Sequence, residues 1–429
     1  MTKSEIVQAA FKAWGGDFYR ATSLSTLAEA LGVTKTALYH HFKNKDGILD
    51  AMYNTFFDSF SGYVRPVFEK SLAAAETGAA KNEILDALLL VNHSTTEFFV
   101  RNPWHLMFSL VKIYGKTDTW QENDALSERG LDFTKLQYIS NSLTGENIYP
   151  PLFQLVNAGT ICIVGYFMRS LRMEPFSEEH ISTIMRQVDG FVRRGIGLNR
   201  DRIDALDWQT LEKNALWRES GGGGGRRKWL LKAVASVVAA AGPWAASMSM
   251  VAKKSGLSKS GLYAHFASKH DMLRQLFLEE FNDVILHAHN VSRKSGVPEE
   301  QLYLVLRAVE GFLTSEPEFL AAINSLKTRR IGFEGAGFDS ISFDDDMLNR
   351  VHKDKLECRS SLLRVFSEIK TASGEMLVDE ITTTLILFLL TDTLVRKPAS
   401  TPYKDMPDES FRTLYRFIAL GTEGLCCER

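Results

Sequence analysis

Residues 24–42 read LSTLAEALGVTKTALYHHF, and residues 248–266 read MSMVAKKSGLSKSGLYAHF. In the first stretch Leu27, Leu31 and Leu38 are spaced to pack two short helices against each other. Ala28 is small where those helices approach, and Gly32 stands at the turn, where a positive φ suits glycine. Thr34 is a good N-cap for the next helix. From Lys35 to about His41 that helix is short and polar on one side, dimensions that fit a major groove. The second stretch fills the same slots with Val251, Ala252, Gly256, Leu257 and Leu262, and Ser258 is its cap. Two slots differ. Ser255 replaces the apolar Leu31, and Gly261 lies inside the second helix. Each change is expected to weaken this copy by about 1 kcal/mol.

The two stretches belong to one repeat. Ala28, Gly32, Lys35, Leu38, Tyr39, His41, Phe42, Lys45 and Leu49 match Ala252, Gly256, Lys259, Leu262, Tyr263, His265, Phe266, Lys269 and Leu273 at a constant offset of 224. Duplication, or fusion of two related genes, accounts for identities so placed. Between the copies stands Gly221–Gly225, a run that holds neither helix nor strand and reads as a flexible linker. The 429 residues therefore divide into five parts. Residues 1–50 form one head and 51–198 a larger helical domain. Residues 199–227 hold a helix and the Gly-rich linker. Residues 228–274 form the second head and 275–429 the second helical domain. Helical spacing of apolar residues recurs throughout, over Glu83–Arg101, Leu152–Arg172, Glu178–Ile196, Glu299–Thr314, Met347–Thr371, Glu375–Arg396 and Asp408–Glu423. An extra helix is expected over Asp201–Arg218. No stretch alternates with period two, so the expected fold class is all-α.

Bulk composition excludes more than it assigns. Fifty basic residues face 52 acidic ones, a net charge of −2, so any binding of nucleic acid rests on local patches. Cys162, Cys358, Cys426 and Cys427 lack the paired spacing of a zinc site, and no metal is expected. A reducing cytosol suits them. The N-terminus has no signal-peptide core. The apolar runs Leu152–Met168 and Leu377–Leu394 are broken by polar residues, so no membrane span is expected. No GxSxG, HExxH, P-loop or Rossmann pattern stands in its proper context, and the chain is expected to be neither an enzyme nor a holder of a cofactor.

VTKTALYHHFKNKDGIL and LSKSGLYAHFASKHDML resemble the signature of the TetR family of repressors, over about fifty residues in each half. The resemblance implies a tandem of two family subunits, each with three DNA-binding helices and a larger helical domain. It implies a partner, a double-stranded DNA operator, and a small-molecule effector of unstated identity. Tyr39 and Tyr263 would donate to phosphates. Lys45 and Lys269, each beginning the following helix, would grip the backbone together with the helix N-terminus. Thr34, Lys35, Thr36 and His40 would face the groove in head one, and Ser258, Lys259, Ser260 and Ala264 in head two. In the family the last two helices of each subunit pair, so a monomeric pseudo-dimer is expected. Ala158, Gly159 and Gly165 would allow close helix approach. With His40 against Ala264 and Ala37 against Gly261, the operator is expected to be imperfect or asymmetric.

The effector side is read from aromatics. Phe99, Trp104, His105, Phe108, Tyr114, Trp120 and Tyr138 are the candidates in half one, and they suit an apolar or aromatic ligand. Half two offers Phe312, Phe319 and Asn324, and Arg329 and Arg330 read either as partners for an anion or as solvated charges. Asp344–Asp346 read as ligands for a cation or, the favoured reading, as caps of the helix near Met347. Arg226, Arg227 and Lys228 read equally as a solvated edge or as an arm on DNA.

Overall fold

The computed structural model describes residues 2–16, 23–109, 120–144, 150–170, 176–216, 225–323, 363–370, 378–395 and 408–426. It is all-α. The expectations for Tyr114, Asn324, Arg329, Arg330, Asp344–Asp346, the start of the helix over Met347–Thr371, and Gly221–Gly224 lie outside those residues. Among the described residues no helix is long and apolar enough to cross a membrane. The chain forms two compact units, one built on Met1–Arg193 and one on Arg194–Lys327 with Ser342–Leu425.

The first unit opens with α1 (Lys3–Gly16), α2 (Leu24–Ala30) and α3 (Lys35–His41). Ile6, Val7, Ala10 and Phe11 of α1 are buried with Leu27, Ala28 and Leu38, which closes a three-helix core. α4 (Lys45–Glu76) then runs 32 residues from the head into the larger domain. Its buried face is almost wholly apolar, from Ile48 and Met52 through Phe56, Phe57, Phe60 and Val64 to Phe68. α5 (Lys81–Arg101) lies along it, and α6 (Pro103–Ser109) turns back onto α1. α7 (Trp120–Ser127), α8 (Phe133–Thr144), α9 (Leu152–Ser170) and α10 (Glu178–Arg194) complete the unit. Two buried hydroxyls are paired between helices. Ser71 Oγ donates to Ala87 O at 2.8 Å, and Thr160 Oγ1 to Asn92 Oδ1 at 3.0 Å, which removes the cost of burying them. Gly159 faces Phe191, whose ring would lie 3.6 Å from an added Cβ.

The second unit begins before the glycine run. α11 (Arg200–Asp204) and α12 (Trp208–Ala215) stand where one helix over Asp201–Arg218 was expected. Asn199 Oδ1 caps α11 and Asp207 Oδ1 caps α12, so two start signals divide the segment. α13 (Gly225–Ala245) is broken at Gly242, where φ is 77°. α14 (Met248–Lys254) and α15 (Lys259–Tyr263) complete the second head, and α16 (Lys269–Ser292) leads out of it. α17 (Pro298–Ser315), α18 (Glu380–Val395) and α19 (Asp408–Leu420) form the larger domain. α19 stops short of the expected Glu423 because Gly421 takes φ 63°, and α20 (Glu423–Cys426) starts afresh.

Gly32 and Gly256 both sit at φ 64°, with no heavy atom within 4 Å of an added Cβ. Replacement by alanine therefore carries only the left-handed backbone penalty, about 1–2 kcal/mol. Gly32→Ala is expected to speed native-state amide exchange in α2 and α3 by that amount while leaving α14 and α15 unchanged, and Gly256→Ala to do the reverse. Equal effects on both heads, or none, would contradict this reading.

Candidate nucleic-acid interface

Each head is built by three side-chain caps. In head one Ser23 Oγ accepts from Thr26 N at 3.1 Å, Thr34 Oγ1 from Ala37 N at 3.2 Å and Asn44 Oδ1 from Gly47 N at 2.8 Å. In head two Ser247, Ser258 and Ser268 do the same for Met250, Gly261 and Asp271, at 3.2, 3.0 and 3.0 Å. Every cap lies 224 residues after its counterpart, so the two heads start their helices in the same register. Leu38 and Phe42, and Leu262 and Phe266, point into the cores.

With those residues inside, the rest of α3 and α15 faces solvent. Thr34, Lys35, Thr36, Tyr39 and His40 are exposed together in head one, and Ser258, Lys259, Ser260, Tyr263 and Ala264 in head two. Tyr39 is 47% and Tyr263 48% exposed, unusual for an aromatic ring that only packs. Lys35 Nζ lies 6.0 Å from the Tyr39 ring centroid. Lys45 and Lys269, at the first positions of α4 and α16, are half-buried. Burial lowers the Lys269 pKa.

The heads differ in detail. α15 has five residues where α3 has seven, and Ala264 is its C-cap. Ser255 is not the defect that its exchange for leucine suggests. It is buried, and its Oγ donates to Val251 O at 2.7 Å and reaches Ala252 O at 3.2 Å. The hydroxyl is thus satisfied, which offsets the expected loss. Arg227 and Lys228 are not offered to an external partner. Arg227 grips Glu279 through two bonds, at 3.0 and 2.7 Å, and lies 5.0 Å from the Phe266 ring. Lys228 and Lys232 Nζ meet the two oxygens of Glu316 at 2.9 and 3.1 Å, and Glu316 is 3% exposed. Those pairs fasten α13 to the end of α17. Sequence reading missed them because the acidic partners lie far along the chain.

Head one is fastened differently. The Phe11 ring stacks on His105 with centroids 4.1 Å apart and meets Phe108 edge-on at 5.3 Å. His105 also faces Phe56 and Phe98. Its Nε2 is buried with no hydrogen-bond partner among the described residues, and burial holds its pKa down to about 4, so the ring is neutral. The helix ends set a register between the halves. Asn102 N donates to Phe98 O, and Glu316 N to Phe312 O, at 2.9 and 3.1 Å with closely similar cap angles. Counting from those caps, Phe319 stands where half one has His105. By the 224-residue offset, Ala235 stands where it has Phe11. Phe319 is buried and packs edge-on against Phe312 at 5.6 Å.

Among the effector candidates, His105 and Phe108 are buried and Phe99 and Trp104 half-buried, and all four lie in the aromatic core of the first unit. Tyr138 is 73% exposed and does not join them.

The chain matches the family model described as bacterial regulatory proteins, tetR family, twice, over residues 6–52 and 230–276. Among solved structures it is similar to the fatty acid degradation regulator FadR from Bacillus halodurans, at 17% identity. That alignment covers 46% of this chain and 96% of that one, with a TM-score of 0.33. It is also similar to a TetR family transcriptional regulator, PfmR, from Thermus thermophilus, at 20% identity. There the coverage is 44% and 96%, with a TM-score of 0.31.

A histidine held neutral by burial binds its proton more readily once unfolded. Half one is therefore expected to keep full stability above about pH 6.5 and to lose it as the pH falls toward about 4, by roughly 3 kcal/mol in all. His105→Phe, the residue found at the matching place in half two, removes the buried unpaired nitrogen. Denaturant unfolding at pH 7 and pH 5 should show the wild-type loss and its absence in the variant. An equal loss in both would assign the effect elsewhere.

Proposed function

Because the chain belongs to the tetR family of bacterial regulatory proteins and carries that family's DNA-binding domain twice, we propose a ligand-responsive repressor that works as an intramolecular pseudo-dimer on an imperfect or asymmetric operator. The observation that carries this reading is the pair of exposed helix faces, held by equivalent caps yet bearing unlike side chains.

Tyr39 and Tyr263 donate to phosphates, and Lys45 and Lys269 grip the backbone at the start of α4 and α16. Thr34, Lys35, Thr36 and His40 read the groove in head one. Ser258, Lys259, Ser260 and Ala264 do so in head two. An imidazole hydrogen-bonds a base edge, whereas the Ala264 methyl offers only apolar contact. Head one therefore discriminates sequence more strongly, and head two anchors. A palindrome is matched to identical heads, and these heads are not identical.

The effector reading is supported by His105. A buried, unpaired nitrogen is costly, and half two avoids it with Phe319. An apolar or aromatic effector entering beside Phe99, Trp104 and Phe108 with one hydrogen-bonding group would satisfy Nε2. Its stack on Phe11 connects that event to α1 of head one. The effector shifts DNA affinity to the extent that it binds the two states of the protein unequally.

The variant Tyr39→Phe, Lys45→Ala should weaken binding to every DNA sequence and reduce the slope of log affinity against log salt by about 1, the share of one phosphate contact. Unchanged affinity and slope would remove these residues from the interface. Light scattering of the wild type should give a mass near 48.2 kDa. An obligate two-chain species would defeat the pseudo-dimer.

A further inference from the structure

α17 in half two is buried on nearly every side. Leu302 to Leu306, Ala308 to Glu310, Phe312 and Leu313 are all inside. α12 covers the face that an amphipathic helix would leave to water. Trp208 meets Tyr303 edge-on at 5.1 Å and Tyr415 at 6.0 Å, with the Arg412 guanidinium 5.2 Å from its ring. Glu212 accepts from the Tyr303 hydroxyl and from Arg307 Nε at 2.9 Å. Arg307, 13% exposed, also pairs with Glu310 and Asp408. Asp204 takes Arg416 at 2.6 Å, and Arg200 donates to Glu423 O. Ahead of them, Ile196 and Leu198 donate to Ile418 O and Ala419 O at 2.9 and 3.1 Å.

The end of α12 reaches a third helix. Lys294 Nζ donates to Asn214 O at 2.7 Å, and His287 Nε2 lies 3.4 Å from Ala215 O. Both come from the far end of α16 or just beyond it, and the near end of α16 is Lys269 in head two. At about 1.5 Å per residue, α16 is a lever roughly 36 Å long. Among the described residues half one carries no such cover. In the cap register His93 stands where half two has Arg307, and its pair with Asp189 is about 40% exposed on both sides.

We propose that Arg200–Leu216 is a tethered clamp that occupies the α17–α19 face and, by holding the far end of α16, sets the position of head two within its own unit. The segment between the halves is thereby a regulatory part of half two and not a spacer. Releasing it frees head two.

The test uses the full chain, with donor and acceptor dyes at positions 260 and 409 and amide exchange followed in parallel. The wild type should give one narrow dye distance. Trp208→Ala, and the milder Glu212→Gln, should speed exchange in α12, α17 and the end of α16 about tenfold and broaden the distance, leaving α1 to α3 unchanged. A synthetic peptide of residues 199–216 in excess should restore both readings. Released α12 with an unchanged dye distance would overturn the proposal, as would unchanged exchange in both variants. No DNA or effector enters this test, so its failure is distinct from failure of the functional reading.

Discussion

One glycine at φ 64° turns α2 toward α3, and another at the same angle turns α14 toward α15. Everything that faces outward depends on that turn. It lets Leu38 and Leu262 enter the cores while Tyr39 and Tyr263, one residue on, stay half in water. The backbone angle is one that a side chain resists, so both copies use glycine. The caps at Thr34 and Ser258 then fix where each short helix starts, and with it which side chains are presented.

The two heads share this frame and differ in how they join their larger domains. Head one leans on soft aromatic contact, Phe11 on His105 and Phe108. Head two is tied by ionic pairs, with Lys228 and Lys232 on Glu316 and Arg227 on Glu279. An aromatic stack around a neutral, unpaired imidazole is a packing arrangement that a small change of occupancy or protonation disturbs. A buried carboxylate held by two lysines resists separation, because breaking it leaves a charge without a partner. The two joins thus differ in kind, one apolar and one ionic.

Much of this was legible in the sequence where the signal is local. The turn glycines, the caps and the apolar slots stand within a few residues of one another, and their repetition at one offset gave the tandem architecture. The exposed faces of α3 and α15 followed directly. What was not legible depends on partners remote in sequence. Asp201–Arg218 was legible as helical, but not that Trp208 within it would lie on Tyr303 of α17 and Tyr415 of α19. The charges at Arg227 and Lys228 were equally fit for DNA or for glutamates 52 and 88 residues on. Ser255 counted as a loss until its hydroxyl was seen to return to carbonyls of its own helix. His105 was read as one aromatic among several, since its unpaired nitrogen exists only in the packed core.

Selection of bound sequences from random DNA by the intact chain tests the central claim most directly. The predicted result is two half-sites of unlike sequence at a fixed spacing, with the stronger base preference under head one. A symmetric palindrome, read equally by both heads, would contradict it.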